Sequence, residues 1–285
     1  MFARTWLLVR DCVQAFVDDG AISRGASIAF YTITSLGPVV LVVIAVAGLA
    51  FGEDAARGAV SAELSGLMGK ASADLVQTAV QSAATRSSGT VASIIGAFTL
   101  LAAVSGVFGE MQSALNAIWK APPRGTTISR LLRARLASLG LVAALGFLML
   151  VSLVISALLS ALSNVINVVL PFSAEMLEAL NFVISFVLIS VMFAAIYKVL
   201  PDVHLSWHDV LVGAVMTALL FTVGKFLIGL YLGRSMIASS YGAAGALIVA
   251  LLWIYYSAQI FLLGAEFIKI YASRRGTPAA IRALD

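Results

Sequence analysis

Residues 243–271 read AAGALIVALLWIYYSAQIFLLGAEFIKIY, and only Glu266 and Lys269 in that stretch are charged. An apolar run of about 20 residues crosses the hydrocarbon core of a bilayer as a helix. The run is continuous rather than alternating, so it fits a helix and not a barrel strand. Five further apolar runs precede it, at Ala29–Phe51, Val91–Ile118, Ala137–Leu162, Ala179–Leu200 and Val210–Leu232. The sequence therefore predicts an all-α polytopic membrane protein with six transmembrane helices. Composition agrees: 61% of the 285 residues are hydrophobic and 11% charged, with a mean hydropathy of +1.03. A soluble domain needs more charge than this to stay solvated.

Charge sets the expected orientation. Arg4, Arg10, Arg24, Lys120, Arg124, Arg130, Arg133, Arg135, Lys198, Lys269, Arg274, Arg275 and Arg282 fall on one side of the six runs. Only Arg57, Lys70, Arg86 and Arg234 fall on the other, and Lys225 lies within a run. The positive-inside rule then places both termini in the cytoplasm, as an even number of spans requires. The basic run from Lys120 to Arg135 holds no acid. It reads as a topology signal resting on anionic lipid head groups rather than as a nucleic-acid surface. Membrane lipids are thus the expected partners, with envelope proteins as further candidates and no nucleic acid. Lone Cys12 cannot form an internal disulfide. Ala45 and Ala47 resemble a small-x-small cleavage site. Cleavage would break the charge-matched topology, so the first run is read as a retained helix.

The chain reads as a single membrane domain over 1–285. Residues 1–28 form a cytoplasmic or interfacial helical segment, 29–271 the six-span bundle and 272–285 a cytoplasmic tail. Within residues 2–19, Trp6, Val9, Val13, Phe16 and Val17 recur at helical spacing. That pattern predicts a helix lying in the membrane interface, or packed on the protein's own loops, and ending at Asp19-Gly20. The gap from Gly52 to Thr90 has helical periodicity and predicts one or two amphipathic extracytoplasmic helices, on the membrane or capping the bundle. Gly37-Pro38 marks a proline kink in the first span, where neighbouring hydroxyls can bond the freed carbonyl.

Three charges sit deep in spans: Glu110, Lys225 and Glu266. A Lys or Asp at a helix centre costs about 2.5–3.5 kcal/mol on insertion scales, so such groups should face protein or water. At about 100° per residue, Glu110, Gln112 and Asn116 share one arc of the second span with Ser105, Gly106, Gly109 and Ser113. Tyr255, Gln259 and Glu266 share a face of the sixth. Thr222, Lys225 and Gly229 lie together on the fifth. A central polar cavity or substrate-binding site formed by Glu110, Gln112, Asn116, Lys225, Tyr255, Gln259 and Glu266 is the economical reading. The bland alternative is that the glutamates satisfy helix ends and Lys225 snorkels outward. Depth separates the charges. Glu110 lies about 14 Å before Trp119, Glu266 about 12 Å before Arg274 and Lys225 about 24 Å past Asp209 at 1.5 Å per residue. His204 and His208, spaced i, i+4 between Asp202 and Asp209, have the spacing of helical metal ligands. They read better as a polar cytoplasmic turn after Pro201. No catalytic motif, metal site or cofactor-binding loop is apparent, so an enzyme is not expected.

Several stretches, in order over almost the whole chain, resemble the YihY/BrkB family of bacterial inner-membrane proteins. They are ASIAFYTITSLGP ending at Pro38, ALNAIW ending at Trp119, YKVLPD ending at Asp202, YGAAG ending at Gly245, LWIYYSAQI ending at Ile260, and LGAEF, which contains Gly264 and Glu266. The resemblance implies six spans, cytoplasmic termini and an inner-membrane location. It carries Asn116, Asp202, Gln259 and Glu266 over as motif positions without an assigned role. Pro38, Pro201, Gly245 and Gly264 are carried over as structural positions. The family has borne a ribonuclease BN label, a virulence label and a proposal of lipid or envelope-component transport. The ribonuclease label fits poorly, since a metal-dependent nuclease needs a water-accessible cluster of His, Asp or Glu. A transporter or flippase-like protein for an amphipathic envelope component is the leading expectation. A scaffold for envelope assembly is the alternative.

Overall fold

The structure, a computed structural model, describes residues 2–68, 106–121, 173–234 and 237–277, with isolated positions between 70 and 78 and at 280 and 283. The described residues are helical, with no strand among them. The elements are α1 (Phe2–Asp18), α2 (Ala21–Phe51), α3 (Glu53–Met68), α4 (106–118), α5 (Ser173–Val199), α6 (Trp207–Arg234) and α7 (Ile237–Arg274). The run expected at Ala137–Leu162 and most of the one at Val91–Ile118 lie outside the described residues. Among the described residues, three helices are long and apolar enough to cross a membrane, at Ala179–Val199, Trp207–Ile228 and Gly245–Arg274. They coincide with the last three apolar runs.

Local chemistry sets the helix ends. Gly20 adopts φ 66 between α1 and α2, a left-handed conformation that glycine takes without steric cost. At the end of α7, Gly276 N–H bonds the Ser273 carbonyl and Thr277 N–H bonds the Ala272 carbonyl. This is a Schellman closure. Pro201 follows α5 by two residues, where it cannot continue the helix. Ser206 starts α6 reciprocally: Asp209 N–H donates to its Oγ at 3.1 Å, and Oγ–H donates to Asp209 Oδ2 at 2.8 Å. Ser206 thus acts as the N-cap of α6, with the Asp209 carboxylate held on its hydroxyl rather than on its backbone N–H.

The main core joins α2, α4, α5, α6 and α7 through Ile28, Leu115, Phe193, Val210, Phe261 and Ile268. Glycines allow the close approaches. A Cβ at Gly213 would stand 1.9 Å from Ile268 Cγ1, and one at Gly224 2.2 Å from the Tyr256 hydroxyl. Close packing of this kind holds helices together where lipid removes the hydrophobic drive.

Two expectations are refined. The hydroxyls of Thr32, Thr34 and Ser35 bond carbonyls of Ile28, Phe30, Tyr31 and Thr32, not the Thr34 carbonyl that Pro38 leaves without its i+4 donor. A Ser or Thr side chain reaches one turn back along its own helix, which is the shorter path. α3 folds back along the C-terminal half of α2, with Ala56 and Val60 against Val40 and Ile44. It is therefore part of the packed body and does not lie apart on a membrane surface. The Gly52 turn dictates this by reversing the chain within one residue at φ 87.

Candidate functional site

α1 turns its predicted apolar face away from the protein. Trp6 is 70% exposed, and Val9, Val13 and Val17 are exposed beside it. The opposite face meets α7. Asp11 accepts from Arg274 Nη2 at 2.6 Å. Buried Cys12 lies on the same side, and burial, followed by the charge of Glu266, pushes its thiol up to about 11. The left-handed Gly20 then swings the chain so that Asp19 also points at α7.

Lys269 Nζ contacts Asp19 Oδ2 and lies 2.8 Å from Glu266 Oε2. Lys269 is 3% exposed and Glu266 0%. Their i, i+3 spacing puts both on one face of α7. About two turns further along α7, Gln259 Nε2 donates to the Ile22 carbonyl at 3.2 Å. Gly25 makes room for that amide, since a Cβ there would come within 2.3 Å of Nε2. Arg24 Nε donates to the Asp19 carbonyl at 3.2 Å, which fixes the turn itself. The α1–α2 corner is thus held on α7 at three levels: Asp11, Asp19 and Ile22.

Satisfaction is incomplete. Lys269 Nζ meets Glu266 Oε2 at charge-assisted hydrogen-bond distance, and no donor meets Glu266 Oε1 among the described residues. Gln259 Oε1 is likewise buried without a donor. A buried acceptor left unpaired costs about 1–3 kcal/mol. The Asp19 carboxylate stands close enough to Glu266 for their charges to interact, yet an ionised carboxylate offers no hydrogen to donate.

A second polar junction ties α4 to the loop after α5. Asn116 Nδ2 donates to Asp202 Oδ2, and Asp202 N–H donates to Asn116 Oδ1, both at 2.8 Å. Replacing Asn116 with leucine keeps the volume and strands both Asp202 groups. We expect a loss of about 1–3 kcal/mol of stability, read as a lower melting temperature in detergent. An unchanged melting temperature would show that the paired bonds contribute nothing net.

The sequence-derived site residues separate into groups. Gln259 and Glu266 meet the α1–α2 corner, with Tyr255 half-buried on the same helix. Asn116 meets Asp202 instead of the α7 stripe. Glu110 and Gln112 are half-buried on α4. Lys225 is exposed beside Phe226 and Leu227, and the inward position next to it is Gly224, packed on Tyr256. The ion pair to Glu266 comes from Lys269, not from Lys225. Pro38 lies inside α2, Pro201 is buried after α5, and Gly245 and Gly264 are buried on α7. The acids beside the histidines are otherwise engaged: Asp202 by Asn116, and Asp209 by Ser206 and by Thr277, whose hydroxyl donates at 3.0 Å. Sequence reasoning missed Asp19 and Asp11. Each lies some 250 positions from its partner, and no local spacing rule links such a pair.

Rows of apolar side chains stay exposed on the packed helices. Leu211, Val215, Leu219 and Val223 make one stripe on α6, and Val183, Val187 and Val191 make another on α5. Stripes of this size, on helices long enough to cross a bilayer and around buried charges, define a helical integral membrane protein. The chain belongs to the Virulence factor BrkB family, whose model it matches over residues 12–283. It is 27% identical over 256 residues to a UPF0761 membrane protein of Pseudoalteromonas translucida, covering 89% of this chain and 82% of that one. Identity to a UPF0761 membrane protein of Rhodospirillum centenum is 26% over 262 residues, 91% of this chain and 56% of the relative. A Kangiella koreensis UPF0761 membrane protein is 30% identical over 156 residues, 54% of this chain and 36% of its own. The chain thus spans less than two thirds of the length of the last two relatives. No solved structure matches it.

Proposed function

We propose that this chain is a transporter or flippase-like protein of the bacterial inner membrane, acting on an amphipathic envelope component such as a lipid. The observation that supports this reading is the fully buried Glu266, paired with Lys269 on a membrane-crossing helix and with no donor on its Oε1 among the described residues. Intramembrane charge is costly and tends to mark substrate or ion paths. The basic cytoplasmic rim would gather anionic head groups. The test is complementation of a deletion strain, together with translocation of a labelled anionic phospholipid in vesicles holding the purified protein. Glu266→Gln is expected to lower translocation at least tenfold at unchanged membrane abundance, and Glu266→Asp to keep part of it.

The tight fit of Gly25 on Gln259 favours a second reading, an envelope-assembly scaffold whose polar stripe only holds helices together. Full complementation by Glu266→Gln, with no translocation by the wild type, would select it.

Six spans with cytoplasmic termini belong to this proposal. His204 and Asp54 are both exposed and lie in gaps of opposite predicted side. In a Cys12→Ser background, His204→Cys should react only with reagents that reach the cytoplasm. Asp54→Cys should react from outside. Labelling of both from the same side would rule out the arrangement.

A further inference from the structure

We propose that α1 is a self-association surface: its exposed face pairs antiparallel with α1 of a second copy of this chain, and Arg10 meets Asp18 of the partner subunit. One face of α1 is occupied by its own chain. Asp11 is held by Arg274, and Cys12 is buried on the side of α7. Trp6, Val9, Val13 and Val17 point the other way and stay exposed. Arg10, Gln14 and Asp18 are exposed as well, and they line one groove with Trp6 and Val13. None of these three polar side chains has an ion pair or hydrogen bond among the described residues. At about 100° per residue, Trp6, Val13 and Val17 fall within about 40° of one another. Arg10, Gln14 and Asp18, spaced i, i+4, i+8, follow one edge of that stripe. An apolar seam edged by charges is the surface on which one helix packs against another.

The polar edge selects the occupant. Arg10 and Asp18 lie on either side of Gln14, each about 6 Å from it along the helix. Run backwards, the edge carries the opposite charge at each end. A second copy laid antiparallel therefore sets Arg10 against Asp18 of the partner subunit, Asp18 against the partner's Arg10, and Gln14 against the partner's Gln14 between them. An amide is both donor and acceptor, so the central pair satisfies itself. A parallel copy would set arginine on arginine and aspartate on aspartate, which repel. A lipid surface fits the edge less well. Helices that lie on anionic lipid are rich in Lys and Arg on their polar face, whereas this edge holds one cation, one anion and no net charge. Two copies in one membrane are related by an axis along the membrane normal, so an antiparallel pair needs α1 to run across that normal. Asp11 and Asp19 are about 12 Å apart along the helix, yet they meet α7 at Arg274 and Lys269, about 7.5 Å apart along theirs. α1 thus crosses the end of a membrane-spanning helix obliquely instead of running along it. The pairing stands apart from the transport reading, because it is measured without a substrate.

The experiment uses the full-length protein in vesicles of phosphatidylethanolamine and phosphatidylglycerol. Cys12, the only cysteine, is removed as Cys12→Ser, and Gln14→Cys places a thiol at the two-fold centre. Mild oxidation should link two copies through that position. Arg10→Asp and Asp18→Arg should each lower the linked dimer roughly tenfold, the effect of turning two exposed ion pairs repulsive. Mixed in one membrane under different tags, these two variants should link to each other as well as the native charges do, and hardly to themselves. Every aspartate introduced or retained at the edge of one copy then faces an arginine on the other. Recovery in the mixture also shows that both variants are folded. Absence of a linked dimer with the native charges would overturn the proposal. So would variants that link to each other no better than to themselves, which is the mark of random collision. The rival occupant has its own signature. A fluorophore on Val13→Cys that brominated phospholipid quenches equally at one and at many copies per vesicle would assign the face to the bilayer and overturn the proposal equally.

Discussion

Lys269→Ala is expected to lower stability by about 3 kcal/mol, the lower end of the cost of breaking a buried pair. The lower end applies because Asp19 keeps 19% of its side chain in contact with solvent. Among the described residues, Lys269 is the one cation in contact with both Asp19 and Glu266. Alanine removes the attraction and leaves the acids facing each other in a cavity the size of a lysine stem. Part of the loss is packing, since that stem is itself buried. Thermal unfolding in detergent, followed by size-exclusion fluorescence, measures the whole effect. The double variant Lys269→Ala/Glu266→Gln separates the two parts. Removing one carboxylate should recover more than half of the loss if charge dominates. A double variant as unstable as the single one would assign the loss to packing.

The fold was legible wherever one run of sequence carries its own signal. Apolar length alone located α5, α6 and α7. Helical spacing alone identified the apolar face of α1; Trp6, Val9, Val13 and Val17 are exposed on it, whereas Phe16, expected on the same face, is half-buried against the core. Partnership was not legible. Face arithmetic shows where a side chain points on its own helix but not which helix lies opposite. Lys225 illustrates this. It shares a helix face with Thr222 by angle, yet Gly224 takes the inward contact with Tyr256 and Lys225 is left exposed. The bond between Asn116 and Asp202 joins two residues that the motif resemblance had singled out separately. Asp19 carried only the signal of a helix end, because its role depends on a turn that aims it at a residue 250 positions away.

Gly264 should tolerate no side chain, although it sits in a helix where alanine is intrinsically preferred by about 0.5–1 kcal/mol. α5, α6 and α7 meet at this residue. A Cβ there would stand 2.0 Å from Thr217 Oγ1 and 2.4 Å from the Tyr197 hydroxyl. Neither neighbour can withdraw easily. The Tyr197 hydroxyl donates to the Phe261 carbonyl at 2.7 Å, and its ring stacks on Phe261 at 3° between planes. Thr217 Oγ1 donates to the Gly213 carbonyl at 2.7 Å. A methyl group must therefore separate the helices or break a buried hydrogen bond. Overpacking of this kind costs about 1–3 kcal/mol, and a lost buried bond adds to it. Gly264→Ala should lower the melting temperature, and Gly264→Leu should prevent accumulation in the membrane. Gly109 supplies the control, because among the described residues nothing lies within 4 Å of a Cβ built there. Gly109→Ala should leave stability unchanged or raise it, since helix propensity then acts alone. If both alanine variants melted together at or above the wild-type temperature, the three helices could not be packed as closely as the Gly264 geometry requires.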